Sequence, residues 1–212
     1  MENTFHPEMD NYILSRNRAQ KYFLNFDQEK LIADWSLKYD TQYLYVEFLI
    51  DLYRINRLTG VIEKTKDTFQ TVEEAGFHEV LSIFDFLCHE GDHKQLSGIW
   101  AGINNLKGRP NAIGVGTDFH NEISKIYDSD IPGFKKACET LGGIAVPFGD
   151  IGYKIPIFRN FSIILKFYFS DDEFPAQTTI LWDENTLSFI FYETAFYIAG
   201  FVLNEIVRIM KR

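Results

Sequence analysis

Residues 161–210 constrain the fold more than any other part of the chain, because they read in order as strand, acidic turn, strand, acidic turn and long helix. Phe161 to Phe169 (FSIILKFYF) is almost continuously apolar and rich in β-branched and aromatic side chains. That is the pattern of a strand buried on both faces. Ser170-Asp171-Asp172 begins a turn, and Pro175 removes a backbone donor, so the ladder cannot run through it unbroken. Thr178 to Trp182 (TTILW) makes a second strand, antiparallel to the first because the connection is short. Asp183-Glu184-Asn185-Thr186 is the next turn, and its carboxylates suit the positive end of a following helix. Tyr192, Ala195, Phe196, Ala199, Val202, Leu203, Ile206 and Ile209 then recur at helical spacing as one apolar face. A membrane-spanning helix needs roughly 20 apolar residues. Here Glu193 interrupts the run and Asn204-Glu205 end it, so the spacing predicts a core helix laid across a sheet.

Upstream, Pro7 to Phe23 reads as a helix anchored by Tyr12, Ile13, Tyr22 and Phe23, and Asp27 caps a second helix through Trp35. Residues 42–56 are a strand region that Gly60 turns back through Val61-Ile62-Glu63. Thr71 with Glu74 matches a capping box for a helix to about His89, with Gly91 as its left-handed stop. Residues 91–117 form a long polar, Gly-rich connection in which Trp100 argues for order. Thr117 caps a helix to Tyr127, and Ile131 to Leu141 is another, opened by Pro132 and stopped by Gly142-Gly143. The expected fold class is therefore α+β: a mainly antiparallel sheet with packed helices, an N-terminal helical pair and a long C-terminal amphipathic helix. Residues 1–212 are expected to form one α+β domain, with 1–40 as a helical part packed on it.

The 212 residues can bury a full core, and 20 Phe with 11 Tyr make that core aromatic. A formal charge of −9 argues against nucleic acid and against an anionic membrane surface as partner. Cys88 and Cys138 are the only cysteines and read as reduced, and the N-terminal stretch lacks signal or transit character, so a soluble, cytoplasmic protein is expected.

Three constellations are candidates for chemistry. His89-Glu90-Gly91-Asp92-His93 fits the H-E-x-x-H string of zinc peptidases, which needs both His on one face of an unbroken helix. Gly91 in its middle favours a helix end and a polar turn instead, and no metal ligand is assigned. Asp118 and His120, with His78, His89 and His93, could gather into a metal or acid–base site, but Asp in a first helical turn is common for capping alone. Asp171-Asp172-Glu173, with Asp183, Glu184 and Glu193, is the most coherent acidic cluster, although turn chemistry explains much of it. Ser97 has no nucleophile elbow around it, and no catalytic residue is assigned.

Leu96-Ser97-Gly98-Ile99-Trp100, Leu141-Gly142-Gly143, Asp171-Asp172-Glu173-Phe174-Pro175-Ala176, Ile180-Leu181-Trp182-Asp183 and Glu193-Thr194-Ala195 follow one another in an order that resembles a known family. The family is the bacterial and archaeal domain of unknown function numbered 3786. The resemblance implies a single α+β domain, found mostly in anaerobes and encoded near corrinoid-dependent methyl-transfer proteins or joined to a four-cysteine iron–sulfur segment. This chain lacks such a segment, so a bound iron–sulfur cluster is not supported.

Two functions from different classes are expected. The first is a non-enzymatic ligand-binding or accessory module, linked through the resemblance to corrinoid or iron–sulfur metabolism. It would hold a small molecule or partner protein at Asp171, Asp172 and Glu173, with Trp100 and Trp182 as apolar walls. The second is a hydrolase or transferase using carboxylates and His120, with or without a divalent metal. A homodimer through exposed aromatics is a third possibility.

Overall fold

The computed structural model describes residues 7–65, 67–91, 94–110 and 118–212, with backbone alone for 7–11 and 118–121. They form two compact units, the first ending at His89 and the second beginning at Glu90.

The first unit contains α1 (Pro7–Leu24), α2 (Gln28–Trp35), β1 (Lys38–Tyr39), β2 (Tyr43–Phe48), β3 (Asp51–Asn56), β4 (Ile62–Thr65), β5 (Glu73–Glu74) and α3 (Phe77–Cys88). Its five strands pair antiparallel in sequence order. Alternation sends Leu44, Val46, Phe48, Tyr53 and Ile55 into the core. Asp27 caps α2 as expected, its carboxylate accepting from Lys30 N at 3.1 Å. On α1, Phe23 is the buried anchor, 5.0 Å ring to ring from Phe84 of α3, whereas Tyr12, Ile13 and Tyr22 stay half exposed. Tyr12 still reaches α3, its ring 4.6 Å from that of Phe77.

Helix α3 starts later than the Thr71–Glu74 pattern suggests. Glu73 and Glu74 pair with Lys64 and Glu63 as a strand, and the Thr71 hydroxyl donates to Asp67 at 2.6 Å. The reciprocal cap is Gly76 with Glu79, whose carboxylate accepts from Gly76 N. A Cβ on Gly76 would stand 2.8 Å from that carboxylate, which explains glycine there. Gly91 is not left-handed either. It must be glycine because a Cβ would fall 2.1 Å from the Ser188 carbonyl oxygen, inside the second unit. Gly91→Ala should therefore cost that unit about 2 kcal/mol by overpacking, read as a lowered urea midpoint.

The second unit contains β6 (Trp100–Gly102), α4 (Asp118–Ser129), α5 (Ile131–Thr140), β7 (Ile144–Ala145), β8 (Ile151–Phe158), β9 (Phe161–Tyr168), β10 (Gln177–Asp183) and α6 (Tyr192–Met210). The sheet order is β6-β10-β9-β8-β7, antiparallel throughout. Strand β6 lies inside the connection expected to be loop; three residues are too few to show an alternation. Pro156 is tolerated in β8 because the β8–β9 register shifts between Pro156 and Phe158. Helix α5 has Pro132 in its first turn and Gly142 at φ +75 after its end, as its sequence predicts, and Asp130 adds a cap that accepts from Gly133 N. Tyr127 of α4 donates to the Leu203 carbonyl of α6 at 3.0 Å, and Ser124 bonds Thr178 of β10 at 2.7 Å, so α4 ties sheet to helix. On α6, Ala195, Ala199, Val202, Leu203 and Ile206 are buried, while Phe196 and Ile209 stay half exposed. No helix among the described residues is long and apolar enough to cross a membrane.

Candidate functional site

The five residues singled out for ligand binding occupy two ends of one strand. Asp171, Asp172 and Glu173 lie on the connection from β9 into the start of β10, and Trp182 lies near the end of β10. At about 3.3 Å per residue the two ends stand some 17 Å apart. Trp100 and Trp182 thus do not wall the acidic turn.

The two tryptophans also do not share a face. Trp182 pairs in register with Ala101, and Trp100 with the next residue, Asp183. Consecutive positions point to opposite sides of a sheet. Trp182 is buried, its ring 6.5 Å from that of Phe161. Trp100 is half exposed on the other face, with the Lys154 ammonium 5.6 Å over its ring.

Beside Trp100 stands the most heavily bonded carboxylate of the second unit. Asp183 is buried and accepts from Gly98 N at 2.7 Å, Asn185 N at 2.9 Å and Ser97 N at 3.1 Å. The Ser97 hydroxyl adds a bond at 3.2 Å. Three backbone donors fix this carboxylate as the pin that holds the Ser97–Gly98 turn against the end of β10. The residues carrying the resemblance at Leu96–Trp100 and Ile180–Asp183 are therefore one structural unit, although 86 positions separate Ser97 from Asp183. Sequence reading placed Asp183 in an acidic run and saw no use for Ser97; only the register joins them.

The acidic turn is built differently. The Asp171 carboxylate accepts from Glu173 N at 2.9 Å and Phe174 N at 2.7 Å, and Asp171 N donates to the Phe174 carbonyl at 2.9 Å. Asp171 is thus committed to its own turn. Asp172 and Glu173 project from it exposed. Phe174 beside them is 59% exposed, and Phe169 and Tyr168 at the end of β9 are 43% and 42% exposed. Asp150 accepts from Phe169 N at 2.9 Å and Asp128 from the Ser170 hydroxyl at 2.6 Å, so the connection is fastened on both sides. The result is a braced knuckle with aromatic and acidic side chains outward. Phe169 is hidden in the sequence because it looks like the continuation of a buried strand, and Phe174 is legible only as a member of the Asp171–Ala176 run.

Helix α3 ends at Cys88 and His89 is already in extended backbone at φ −64, ψ 125, so no helical face can carry the H-E-x-x-H pair. His89 lies in reach of Asp85, Nδ1 to Oδ1 3.4 Å. Asp92 and His93 lie outside the described residues, as do the side chains of Asp118 and His120. Among the described residues no group of three or more His, Cys, Asp or Glu is placed to hold a metal ion.

Strongly perturbed titrating groups often mark functional sites. In the second unit they are buried or half-buried groups held in the packing. Burial raises the Tyr127 hydroxyl and the Cys138 thiol well above their usual ranges. Burial and the Glu139 carboxylate push Tyr153 up to about 12. In the first unit, burial works against the Lys64 ammonium, but Glu79 bonded to it more than reverses that and holds it above its ordinary 10.5. Asp40 is held below the usual carboxylate range by the Tyr45 hydroxyl and by backbone donors.

No curated protein and no solved structure matches the chain. A family model does, over residues 27–205, and its description is "Domain of unknown function (DUF3786)". That span takes in both sheets, the Asp183 pin and the acidic knuckle, and on it the chain belongs to the family of this domain of unknown function.

Proposed function

We propose that the chain is a non-enzymatic binding or accessory module that holds a partner protein on the β9–β10 connection. The observation that carries this is the division of labour in the turn. Asp171 is committed to backbone, while Asp172, Glu173 and a mostly exposed Phe174 stand outward from a fastened loop. A pre-ordered surface loses little conformational entropy on binding, so a small set of side chains can give useful affinity. Exposed aromatics gathered at one end of a sheet suit a protein interface better than a closed small-molecule pocket. The Asp183 end supports a different role: its carboxylate is consumed by three backbone donors and contributes architecture.

The test is quantitative affinity capture from an extract of the native host, comparing the wild type with the Phe174→Ser, Asp172→Asn, Glu173→Gln triple variant. All three side chains are exposed, so the unfolding free energy from urea titration should stay within about 0.5 kcal/mol of wild type. A protein enriched by the wild type and lost from the folded variant is the expected result. Equal capture by both would contradict the proposal.

A further inference from the structure

We infer that the partner's docking segment is basic and carries an apolar anchor, an inference that rests on the binding reading above. The apolar part of the surface is Phe169 and Phe174, each more than two-fifths exposed, whereas Tyr168 shares the other face of β9 with Lys166. Around it stand the exposed side chains of Asp172 and Glu173, and Asp128 and Asp150 on the two sides of the connection. A partner must cover the aromatics and meet that negative rim together, and Lys or Arg beside Phe, Leu or Trp does both. The same rim disfavours the other occupants. A second copy of the chain would bring like charges together, and a nucleic acid would present phosphates to carboxylates.

The charged contacts lie at an exposed surface, so they contribute modestly and are screened by salt. The aromatic anchor carries more, and the charges select the partner.

The experiment titrates the isotopically labelled full chain with three short peptides while following backbone amide shifts. The first alternates Lys with Phe, the second replaces its Lys by Glu, and the third replaces its Phe by Ser. The first should move the amides of residues 168–174, with the others far weaker. Its Kd should rise about tenfold in Phe174→Ser and about fivefold in the Asp172→Asn, Glu173→Gln variant. It should also rise with added salt. If the Glu peptide moves the same amides as well as the Lys peptide, the inference of a basic partner falls while the binding surface stands. The inference also falls if the Lys peptide's shifts are unchanged in both variants. If no peptide moves these amides but captured partner is still lost from the triple variant, the basic chemistry is wrong and the knuckle remains the site. If neither peptides nor partner depend on the knuckle, both proposals are overturned.

Discussion

Asp183→Ala should destabilise the second unit by about 3–5 kcal/mol, the largest loss expected from any single polar substitution in this chain. The wild-type carboxylate is buried and accepts from Ser97 N, Gly98 N and Asn185 N. Alanine leaves three backbone donors without that acceptor and frees the turn preceding β6. Asp183→Asn keeps one carbonyl oxygen but turns an amide toward donors, and about 2 kcal/mol is expected. Ser97→Ala removes only the hydroxyl and should cost about 1 kcal/mol. Urea unfolding gives the magnitudes. Hydrogen exchange gives the place: in Asp183→Ala the amides of Ser97, Gly98 and Asn185 should lose protection first. An Asp183→Ala protein as stable as wild type would show that these bonds do not hold the turn.

Glu79→Ala should cost the first unit about 3 kcal/mol. One carboxylate serves three elements here. Its Oε1 accepts from the Tyr53 hydroxyl at 2.7 Å and from the Lys64 ammonium at 2.8 Å, and its Oε2 accepts from Gly76 N at the start of α3. Removing it unseats the helix cap and strands a buried tyrosine hydroxyl on β3. The ion pair also has a pH signature. The Lys64 ammonium is raised above 10.5 in the fold, so the folded state holds its proton more tightly than the unfolded chain. That contribution is complete below pH 10.5 and disappears as pH climbs through the raised value. Stability of the wild type should therefore fall on the alkaline side, and Lys64→Met should lack this component. Identical alkaline slopes for the two proteins would contradict the pairing.

How much of this was legible in sequence depended on how local the cause was. The continuous apolar run of β9, the helical recurrence along α6 and the Pro132 and Gly142 punctuation of α5 are set by neighbours in the chain, and each element lies where its pattern puts it. Strand β5 and strand β6 are two and three residues long, and they form only because β4 and β10 offer them an edge. The competition between Thr71–Glu74 and Gly76–Glu79 for the start of α3 was decided by burial: Glu79 has Tyr53 and Lys64 to meet, and Glu74 does not. The acidic run Asp171–Glu173 was visible as a turn. That Trp182 faces the core while Trp100 faces away follows from register, which the local pattern of neither residue contains. Phe169 was hidden for a related reason. A phenylalanine one residue past the last ladder pair looks in sequence like one inside it.

On the proposed reading the knuckle at residues 168–174, and not the tryptophan end of β10, is where a partner docks. The most direct test is hydrogen exchange on the chain alone and bound to the protein it captures. Slowed exchange confined to residues 168–176 is the result expected. Slowed exchange at 97–102 and 182–185, with 168–176 unchanged, would contradict it and move the site to the Asp183 pin.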